Sequence, residues 1–420
     1  MTSEYRLRLV DSLLDTYAEQ LPALLVVGPR ACGKSTTLSR RAATVVRLDR
    51  PAEAAAFAAD PDSALAGLEE PVLLDEWQNV PTVLGAVRRA VDRDPRPNRF
   101  LVTGSVRAEL EHGVWPATGR LTRAAMYPMT VAEQRGLDGS APFMDRLAAG
   151  KELPVPADTP DLRGYVELAL QSGFPQAALQ LSGEPHRAWL ESYVADLLTH
   201  DVEQADRAAG RAPSGRKRDA QRLRRYLEAY GLNSAGVADH KTIYEAAGLA
   251  KASAEAYEAL LEDLFVAERI AAWSANRLKR LVQRPKRYVV DAALMAAVLR
   301  VDVDVVMRDG DLLGRVLDTF VAAQLRPETV VSRERPRLFH VRTKNTRQEI
   351  DLVAELGGGR IAAFEVKATS APDRHDGRHL AWLRDRYGEG FLAGVVFHTG
   401  PRVFRLEERI IAAPISTLWG

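Results

Sequence analysis

A glycine-rich segment, GPRACGKS at positions 28–35, constrains the fold of this chain more than any other feature. The apolar run ALLVV precedes it directly, as a strand would precede a loop and a helix. The four fixed positions of a phosphate-binding loop are all filled, by Gly28, Gly33, Lys34 and Ser35. Glycines let the loop N–H groups and the following helix N-terminus face a phosphate. The segment therefore predicts a mononucleotide-binding α/β unit.

Three further apolar runs follow at helix-sized intervals: TVVRLD (44–49), PVLLDE (71–76) and RFLVTGS (99–105). Continuous apolar strands separated by helical stretches are typical of a parallel sheet that is buried on both faces. We therefore expect the first 130 or so residues to form one α/β domain.

The loop and the acidic strand end together predict a site for ATP and Mg²⁺. Lys34 would neutralise the β and γ phosphates, while the Ser35 hydroxyl and Asp75 would hold the metal. Glu76 would orient and deprotonate the attacking water, which separates a hydrolase from a passive nucleotide binder. The predicted nucleotide-binding residues are Gly28, Pro29, Arg30, Ala31, Cys32, Gly33, Lys34, Ser35, Thr36, Asp75 and Ser105. Of these, Cys32 is interpreted as a filler whose side chain is not required.

Two further groups are candidates for contact with the γ phosphate. Thr103 and Ser105 end an apolar strand and could lie between the loop and the acidic strand, although an ordinary turn explains them nearly as well. Arg120 could reach the site of a neighbouring subunit as an arginine finger, with Arg123 as the reserve. The alternative for Arg120 is a solvated surface arginine.

Composition limits the remaining possibilities. A chain of 420 residues exceeds one hydrophobic core, and 46% hydrophobic with 27% charged residues excludes global disorder. The formal net charge is +1, so nucleic acid could be attracted only by local basic patches. The single cysteine excludes an intramolecular disulfide and favours a cytoplasmic location. Neither a secretory signal nor a membrane-spanning segment is expected.

Changes of pattern predict four domains. We expect a nucleotide-binding domain at 1–135, a linker and helical lid at 136–210, a third domain at 211–300 and an α/β domain at 301–420. Glycine, proline and aspartate mark 136–161 as linker or loop. Three helical segments and a hairpin between 223 and 290 predict a winged helix.

In their order, these motifs resemble a group of AAA+ P-loop ATPases of bacteria and archaea. That group is fused to a winged helix and a C-terminal restriction-endonuclease-like domain of unknown function. The matching segments are GPRACGKST, VVRLD, LLDEWQNVP, FLVTGS, TGR, SGFPQ, YVADLLTHDV, RLKRLVQRPKRYVVDAAL, GRVLDTFV and EIDLVAEL with FEVKAT. The resemblance implies an oligomeric ATPase. This sequence departs from the group at His200, where a basic residue is usual, and at Asp318, where Glu is commoner.

The C-terminal domain carries a candidate second metal site formed by Asp318, Asp351, Glu365 and Lys367. Strand alternation places Glu365 and Lys367 on one face, which is the spacing of a nuclease core. Two carboxylates could hold magnesium while Lys367 positions the nucleophile. From the spacing alone, an antiparallel strand pair with a charged face is the favoured interpretation, so nuclease activity stays open.

Two basic stretches suggest contact with nucleic acid. Residues 207–225 contain eight basic side chains and 277–287 contain six, with Trp273 and Tyr288 near for stacking. A solvated charged face is the alternative. The expected recognition helix, KASAEAYEALLEDLF, instead carries four acids: Glu255, Glu258, Glu262 and Asp263. This helix would repel DNA, so the module would bind protein or contact DNA only through its wing.

The sequence thus predicts an ATP-hydrolysing, oligomeric protein that engages nucleic acid through its C-terminal half. The alternative is a nucleotide-controlled regulatory switch whose winged helix and inactive nuclease fold bind protein partners. A metal-dependent nuclease gated by ATP is the third hypothesis.

Overall fold

The computed structural model describes residues 5–105, 119–136, 141–201, 216–276, 283–343 and 348–420. The N-terminal part contains α1 (Asp11–Ala18), β1 (Ala23–Val27), α2 (Lys34–Ser39), β2 (Thr44–Arg47), α3 (Pro51–Ala59), α4 (Pro61–Leu65), β3 (Val72–Asp75), α5 (Val83–Arg93), β4 (Phe100–Gly104), β5 (Thr122–Ala125) and α6 (Val131–Arg135). Short 3-10 turns and a π turn supplement the helices. Within the described residues, no helix combines the length and apolar character needed to cross a membrane.

Strands β1 to β5 form one parallel sheet in the order β2-β3-β4-β1-β5. Alternate residues of β1, β3 and β4 enter different cores: in β1, Leu24 and Val26 belong to one buried cluster, whereas Leu25 and Val27 belong to another. The sheet is therefore buried on both faces, and the prediction from its continuous apolar runs is confirmed.

A helical segment follows the sheet. It contains α7 (Phe143–Ala148), α8 (Leu162–Gln171), α9 (Pro175–Gln180) and α10 (Gly183–Asp196), with a π turn over Leu197–Asp201. The helical pattern expected between 162 and 205 is confirmed as far as residue 201.

Three helices and an antiparallel hairpin come next, in the predicted order. They are α11 (Arg216–Leu232), α12 (His240–Ala246), α13 (Lys251–Asp263), β6 (Ala267–Ile270) and β7 (Lys286–Val289). The helices α14 (Ala292–Leu299) and α15 (Val303–Arg308) then lead into the C-terminal part.

The C-terminal part is a mixed six-stranded sheet between two helices. Its elements are α16 (Gly310–Leu325), α17 (Glu328–Val331), β8 (Arg337–Arg342), β9 (Glu349–Glu355), β10 (Ile361–Val366), α18 (Arg378–Tyr387), β11 (Phe391–His398), β12 (Phe404–Glu407) and β13 (Ile410–Pro414). The strand order is β12-β13-β11-β10-β9-β8, with β10, β11 and β13 parallel. Buried residues of α16 share a core with one face, and those of α18 share a core with the other.

The prediction that 136–161 is only linker or loop is wrong at α7. Phe143 and Met144 are fully buried, and the ring of Phe143 lies 5.7 Å from that of Phe397 in β11. The N-terminus of α7 is capped by the distant carboxylate of Glu328, which accepts hydrogen bonds from the N–H groups of Phe143 (2.7 Å) and Met144 (2.8 Å). Burial raises the pKa of Glu328 to about 7, against the effect of these two bonds.

One buried apolar cluster extends from Val10 to Trp419 and includes residues of the N-terminal sheet, the middle helices and the C-terminal sheet. The four parts therefore share packing, and the domain boundaries given above stay predictions.

We expect Glu328→Ala to lower the free energy of unfolding by about 1–3 kcal/mol, because two buried N–H groups lose their acceptor. Glu328→Gln keeps one carbonyl acceptor and should cost less. Urea denaturation measures both, with the exposed Glu389→Ala as the matched control. Equal midpoints for Glu328→Ala and the control would contradict the capping role.

Candidate functional site

The loop between β1 and α2 has the backbone that a phosphate cradle needs. Gly33 has φ 103° and Ala31 has φ 60°, so the chain turns through the left-handed region twice before α2 begins. At Gly28 a β-carbon would lie 1.9 Å from the carbonyl oxygen of Met126. Glycine is therefore required at position 28 because β1 and the chain after β5 approach each other closely.

The Lys34 side chain is buried and lies across this loop. Its Nζ donates to the carbonyl oxygens of Gly28 (3.0 Å) and Pro29 (2.8 Å). The ammonium group is thus held against the loop by neutral carbonyl acceptors, which the charged oxygens of a phosphate could replace with stronger bonds.

Strand order brings the two candidate magnesium ligands together. The Ser35 hydroxyl donates to Asp75 Oδ1 at 2.7 Å, although the residues are 40 positions apart. Thr103 at the end of β4 also donates to Asp75 Oδ1, and β4 lies between β1 and β3. This strand end therefore lies between the loop and the acidic strand, and contact of Thr103 or Ser105 with a γ phosphate stays a prediction.

Glu76 adopts an unusual backbone conformation, with φ 59° and ψ 53°. Its N–H donates to Thr103 Oγ1 at 3.1 Å, and its half-buried carboxylate accepts from Gln78 Nε2 and, at 3.3 Å, from Ser105 Oγ. A left-handed glutamate is strained, so these bonds fix the direction of the one predicted catalytic base.

Gln78 is a site residue that sequence reasoning missed. Its amide also donates to Ser105 Oγ at 3.1 Å, so it ties Glu76 to the end of β4. The buried Trp77 beside it packs against Gly104, where a β-carbon would lie 2.3 Å from the indole nitrogen. The available signal was an amide two residues after an acidic pair that ends an apolar strand.

Arg8, before β1, was also missed. Its buried guanidinium donates to the carbonyl oxygens of Cys32 (2.7 Å) and Tyr127 (2.7 Å) and pairs with Glu133 at 3.0 Å. It therefore braces the phosphate loop at Cys32. An isolated arginine gives no sequence signal of such a role.

The other predicted loop residues differ in exposure. Cys32 is fully buried and its thiol lies 3.5 Å from the Met126 carbonyl, in agreement with a packing role. Arg30 and Thr36 are exposed, and the Arg30 carbonyl accepts a hydrogen bond from Tyr193 of α10 at 3.2 Å. The helical segment thus contacts the loop directly.

The proposed finger lies at the surface. Arg120 is half-exposed, and its Nε lies 2.8 Å from Asp92 of α5. Arg123 is an exposed residue of β5, which is an edge strand of the sheet. Surface placement is compatible with action on another subunit, and the finger stays a prediction.

The C-terminal acids cluster around a lysine that sequence reasoning assigned elsewhere. Lys286 of β7 is buried, and its Nζ lies 2.5 Å from Asp318 Oδ2 and 3.0 Å from Asp351 Oδ1. Burial alone would lower the pKa of Lys286, but the two carboxylates outweigh it and raise this pKa well above its ordinary value. A buried ion pair therefore occupies the centre of the predicted second metal site.

The other two members of that predicted site face each other. Lys367 Nζ lies 3.1 Å from Glu365 Oε2, and burial raises the pKa of the Glu365 carboxyl well above its usual range. Across the described ranges, no three His, Cys, Asp or Glu side chains are grouped as ligands for a metal ion.

The structure corrects the interpretation of the second basic stretch. Lys286 and Arg287 are buried, and Arg287 pairs with Glu258 at 2.6 Å, so neither can meet a phosphate backbone. Tyr288 and Trp273 are buried too and are not available for stacking. Residues 207–215 and 277–282 lie outside the described residues, as do the side chains at 216–219.

The acids of α13 are partly neutralised within the fold. Glu258 is buried between Arg287 and Arg269, and Glu262 pairs with Arg269 at 2.6 Å. Glu255 lies 3.6 Å from Lys251. The expected repulsion of DNA by this helix is therefore weaker than its sequence suggests, because two of the four charges face the hairpin.

Comparison with known families agrees with the loop geometry. Residues 20–134 match the AAA domain family. Residues 162–304 and 313–418 each match a domain of unknown function, so the chain carries an AAA-type ATPase domain fused to further domains. The AAA match covers the sheet, the phosphate loop, Asp75 and Glu76, and it supports ATP binding by this part of the chain.

Two relatives match along most of the chain. An uncharacterized protein of Mycobacterium tuberculosis is 29% identical over 405 residues, which are 94% of this chain and 81% of the relative. An uncharacterized protein of Mycobacterium bovis matches with the same values. The similarity thus includes the AAA domain and the C-terminal part together.

We expect Gln78→Ala to lower kcat for ATP about tenfold and to leave KM within about threefold, because Glu76 loses a hydrogen bond worth about 1.5 kcal/mol. Steady-state ATP hydrolysis measures both constants, with the exposed Gln20→Ala as control. A rise in KM with unchanged kcat would show that Gln78 does not position the base.

Proposed function

We propose that this protein is a magnesium-dependent ATP hydrolase. The observation that carries the proposal is the 2.7 Å contact between Ser35 Oγ and Asp75 Oδ1, which follows directly on the loop whose carbonyls hold the Lys34 ammonium. A hydroxyl, a carboxylate and a lysine converge there at the end of a glycine loop, as binding of a metal–triphosphate requires.

Each group has one task in this proposal. The loop N–H groups from Gly28 to Gly33 and Lys34 bind the phosphates, and Ser35 with Asp75 would hold Mg²⁺, which neutralises charge on the phosphate oxygens. Glu76 orients the attacking water and accepts its proton. Thr103 and Ser105 keep Asp75 and Glu76 in place through their hydroxyl groups.

We further propose that the site is completed between subunits of a homo-oligomer by Arg120. Its exposed position on the chain that enters β5 supports this, because only a surface arginine can enter a neighbouring site.

The single, buried Cys32 supports a reducing, cytoplasmic setting.

We expect Glu76→Gln to reduce ATP turnover at least a hundredfold while ATP binding stays within about threefold, because the amide removes the base and spares the metal ligands. Malachite-green phosphate release measures turnover, and a fluorescent ATP analogue measures binding. The exposed Glu19→Gln is the matched control. Retained turnover in Glu76→Gln would refute the assignment of Glu76.

We also propose that the C-terminal half engages nucleic acid. The three helices and hairpin from α11 to β7 have the element order of a winged helix, and the two basic stretches overlap this segment. Among the basic residues of these two stretches that the structure describes, Arg225 and Arg284 are exposed and are available for phosphate contact. Arg284 pairs with Asp239 at 2.6 Å, so phosphate would have to compete with that carboxylate.

A nucleotide-controlled regulatory switch with protein partners is the second candidate. The burial of Lys286 and Arg287 in ion pairs favours the switch, because these two cations are then not available to bind a phosphate backbone. The Lys286 ammonium also occupies a position among the C-terminal acids that a metal ion would need.

DNA affinity separates the two candidates. If nucleic acid is the partner, a labelled duplex should bind at about 50 mM salt, and Arg225→Ala and Arg284→Ala should each reduce the slope of log K against log salt by about one. Fluorescence anisotropy over a salt series measures this, with the exposed Arg405→Ala as control. Absence of both DNA binding and DNA-stimulated hydrolysis would leave the switch as the supported function.

A further inference from the structure

The hairpin that carries Lys286 is attached to the C-terminal sheet. The N–H of Trp273 donates to the carbonyl oxygen of His340 at 2.6 Å, and the N–H of His340 donates to that of Ala271 at 3.1 Å, which extends the hairpin along β8. The Trp273 indole donates to Glu355 at 3.2 Å, and its ring lies 5.2 Å from that of Tyr387. Backbone and side-chain contacts therefore attach the hairpin that carries Lys286 to β8, β9 and α18.

All three ammonium protons of Lys286 have acceptors. Nζ donates to Asp318 Oδ2 (2.5 Å), to Asp351 Oδ1 (3.0 Å) and to the Asp351 carbonyl oxygen (3.3 Å). A lysine has three donors, so this group is fully satisfied.

The remaining oxygens of the two aspartates are also used. Asp318 Oδ1 accepts from the Tyr288 hydroxyl at 3.0 Å, and Asp351 Oδ2 accepts from the Val366 N–H at 3.0 Å. Every carboxylate oxygen of this pair thus has a protein donor. Divalent cations in proteins require several oxygen ligands, which these donors already occupy.

Charge leads to the same conclusion. With every group ionised, the carboxylates of Asp318, Asp351 and Glu365 face the ammonium groups of Lys286 and Lys367, so at most one formal negative charge is left. Burial raises the pKa of Glu365, which reduces that negative charge further. A divalent ion added beside Lys286 would give a buried cluster with net positive charge next to a fixed ammonium, which is unfavourable. The metal that an endonuclease-like domain implies does not fit the residues in this arrangement.

We propose that the Lys286 ammonium is the resident cation of the C-terminal carboxylate cluster and takes the position that a metal ion holds in a metal-dependent nuclease. The cluster then links the hairpin to the C-terminal sheet and does not activate water for phosphodiester cleavage.

The same geometry predicts the effect of removing the Lys286 side chain. Loss of the ammonium would free Asp318 Oδ2, Asp351 Oδ1 and the Asp351 carbonyl. Glu365, which interacts electrostatically with Asp351, adds Oε1, a buried atom that lies 3.9 Å from His379 Nδ1 and has no hydrogen-bond partner within the described residues. These four oxygens are hard donors of the kind that Mg²⁺ and Mn²⁺ prefer.

Mn²⁺ binding, measured by electron paramagnetic resonance of the free ion, tests the proposal. The full chain is used with Asp75→Asn throughout, so that the nucleotide site lacks its metal-binding carboxylate. We expect Lys286→Ala in this background to bind about one Mn²⁺ per chain, at least tenfold more tightly than the parent. Asp351→Asn should abolish the gained site.

Either of two results would overturn the proposal. The first is a folded Lys286→Ala variant, checked by circular dichroism, that binds Mn²⁺ no better than the parent. The second is a parent that loses Mn²⁺ affinity when Asp351→Asn or Glu365→Gln is introduced, since a metal would then share the cluster with Lys286. If Lys286→Ala does not fold, the comparison of the parent with Asp351→Asn and Glu365→Gln decides. Equal Mn²⁺ affinity of these three proteins supports the proposal.

Discussion

The nucleotide site depends on one constraint, which is that a parallel sheet buried on both faces ends all its strands at one edge. Because β4 lies between β1 and β3, the loop after β1 and the acids after β3 are separated by a single strand whose end carries Thr103. Ser35 at the start of α2 then meets Asp75 directly. The N-terminus of α2, the Ser35 hydroxyl and the Asp75 carboxylate converge because burial on both faces fixes the order of the strands, and the strand order fixes which strand ends are neighbours.

Packing continues from this site into the rest of the chain. Tyr193 of α10 donates to the loop carbonyl of Arg30, α10 packs against α14, and α14 packs against α16, which carries Asp318. A rearrangement of the phosphate loop on nucleotide binding must be accommodated by this continuous series of helices, since packed interiors have few voids to absorb a displacement. The AAA domain and the C-terminal acids are thus joined by packed elements.

Local sequence patterns predicted the elements that are determined by residues close together in the sequence. The strands β1 to β4 and the helices α11 to α13 follow from apolar runs and helical periodicity, and the loop residues follow from their spacing. Helix α7 was missed because its N-terminus is capped by Glu328, which lies 185 residues further along the chain. Gln78 was missed because its role arises from the left-handed turn at Glu76, which a strand pattern does not predict.

The basic stretch near residue 286 was misinterpreted for a related reason. Sequence composition assigns lysine and arginine to the surface, and it gives no sign that Glu258, Asp318 and Asp351 lie within reach of them. Long-range pairing turned two apparent DNA contacts into buried ion pairs. Charge runs therefore predict a surface only where the fold brings no acid of distant sequence against them.

The cost of burying Lys286 shows what its ion pairs contribute. Removing an ammonium and two carboxylates from water costs several kcal/mol per ion, and mutual attraction only offsets this when every donor and acceptor is paired. An apolar residue of similar volume would bury as much surface without that cost, so net stability does not explain the lysine. The ammonium does impose direction, because it is satisfied only when β7, α16 and β9 stand in one arrangement. We therefore interpret the cluster as a device that fixes the hairpin on the C-terminal sheet, which is a task that three charges perform with greater specificity than packing alone.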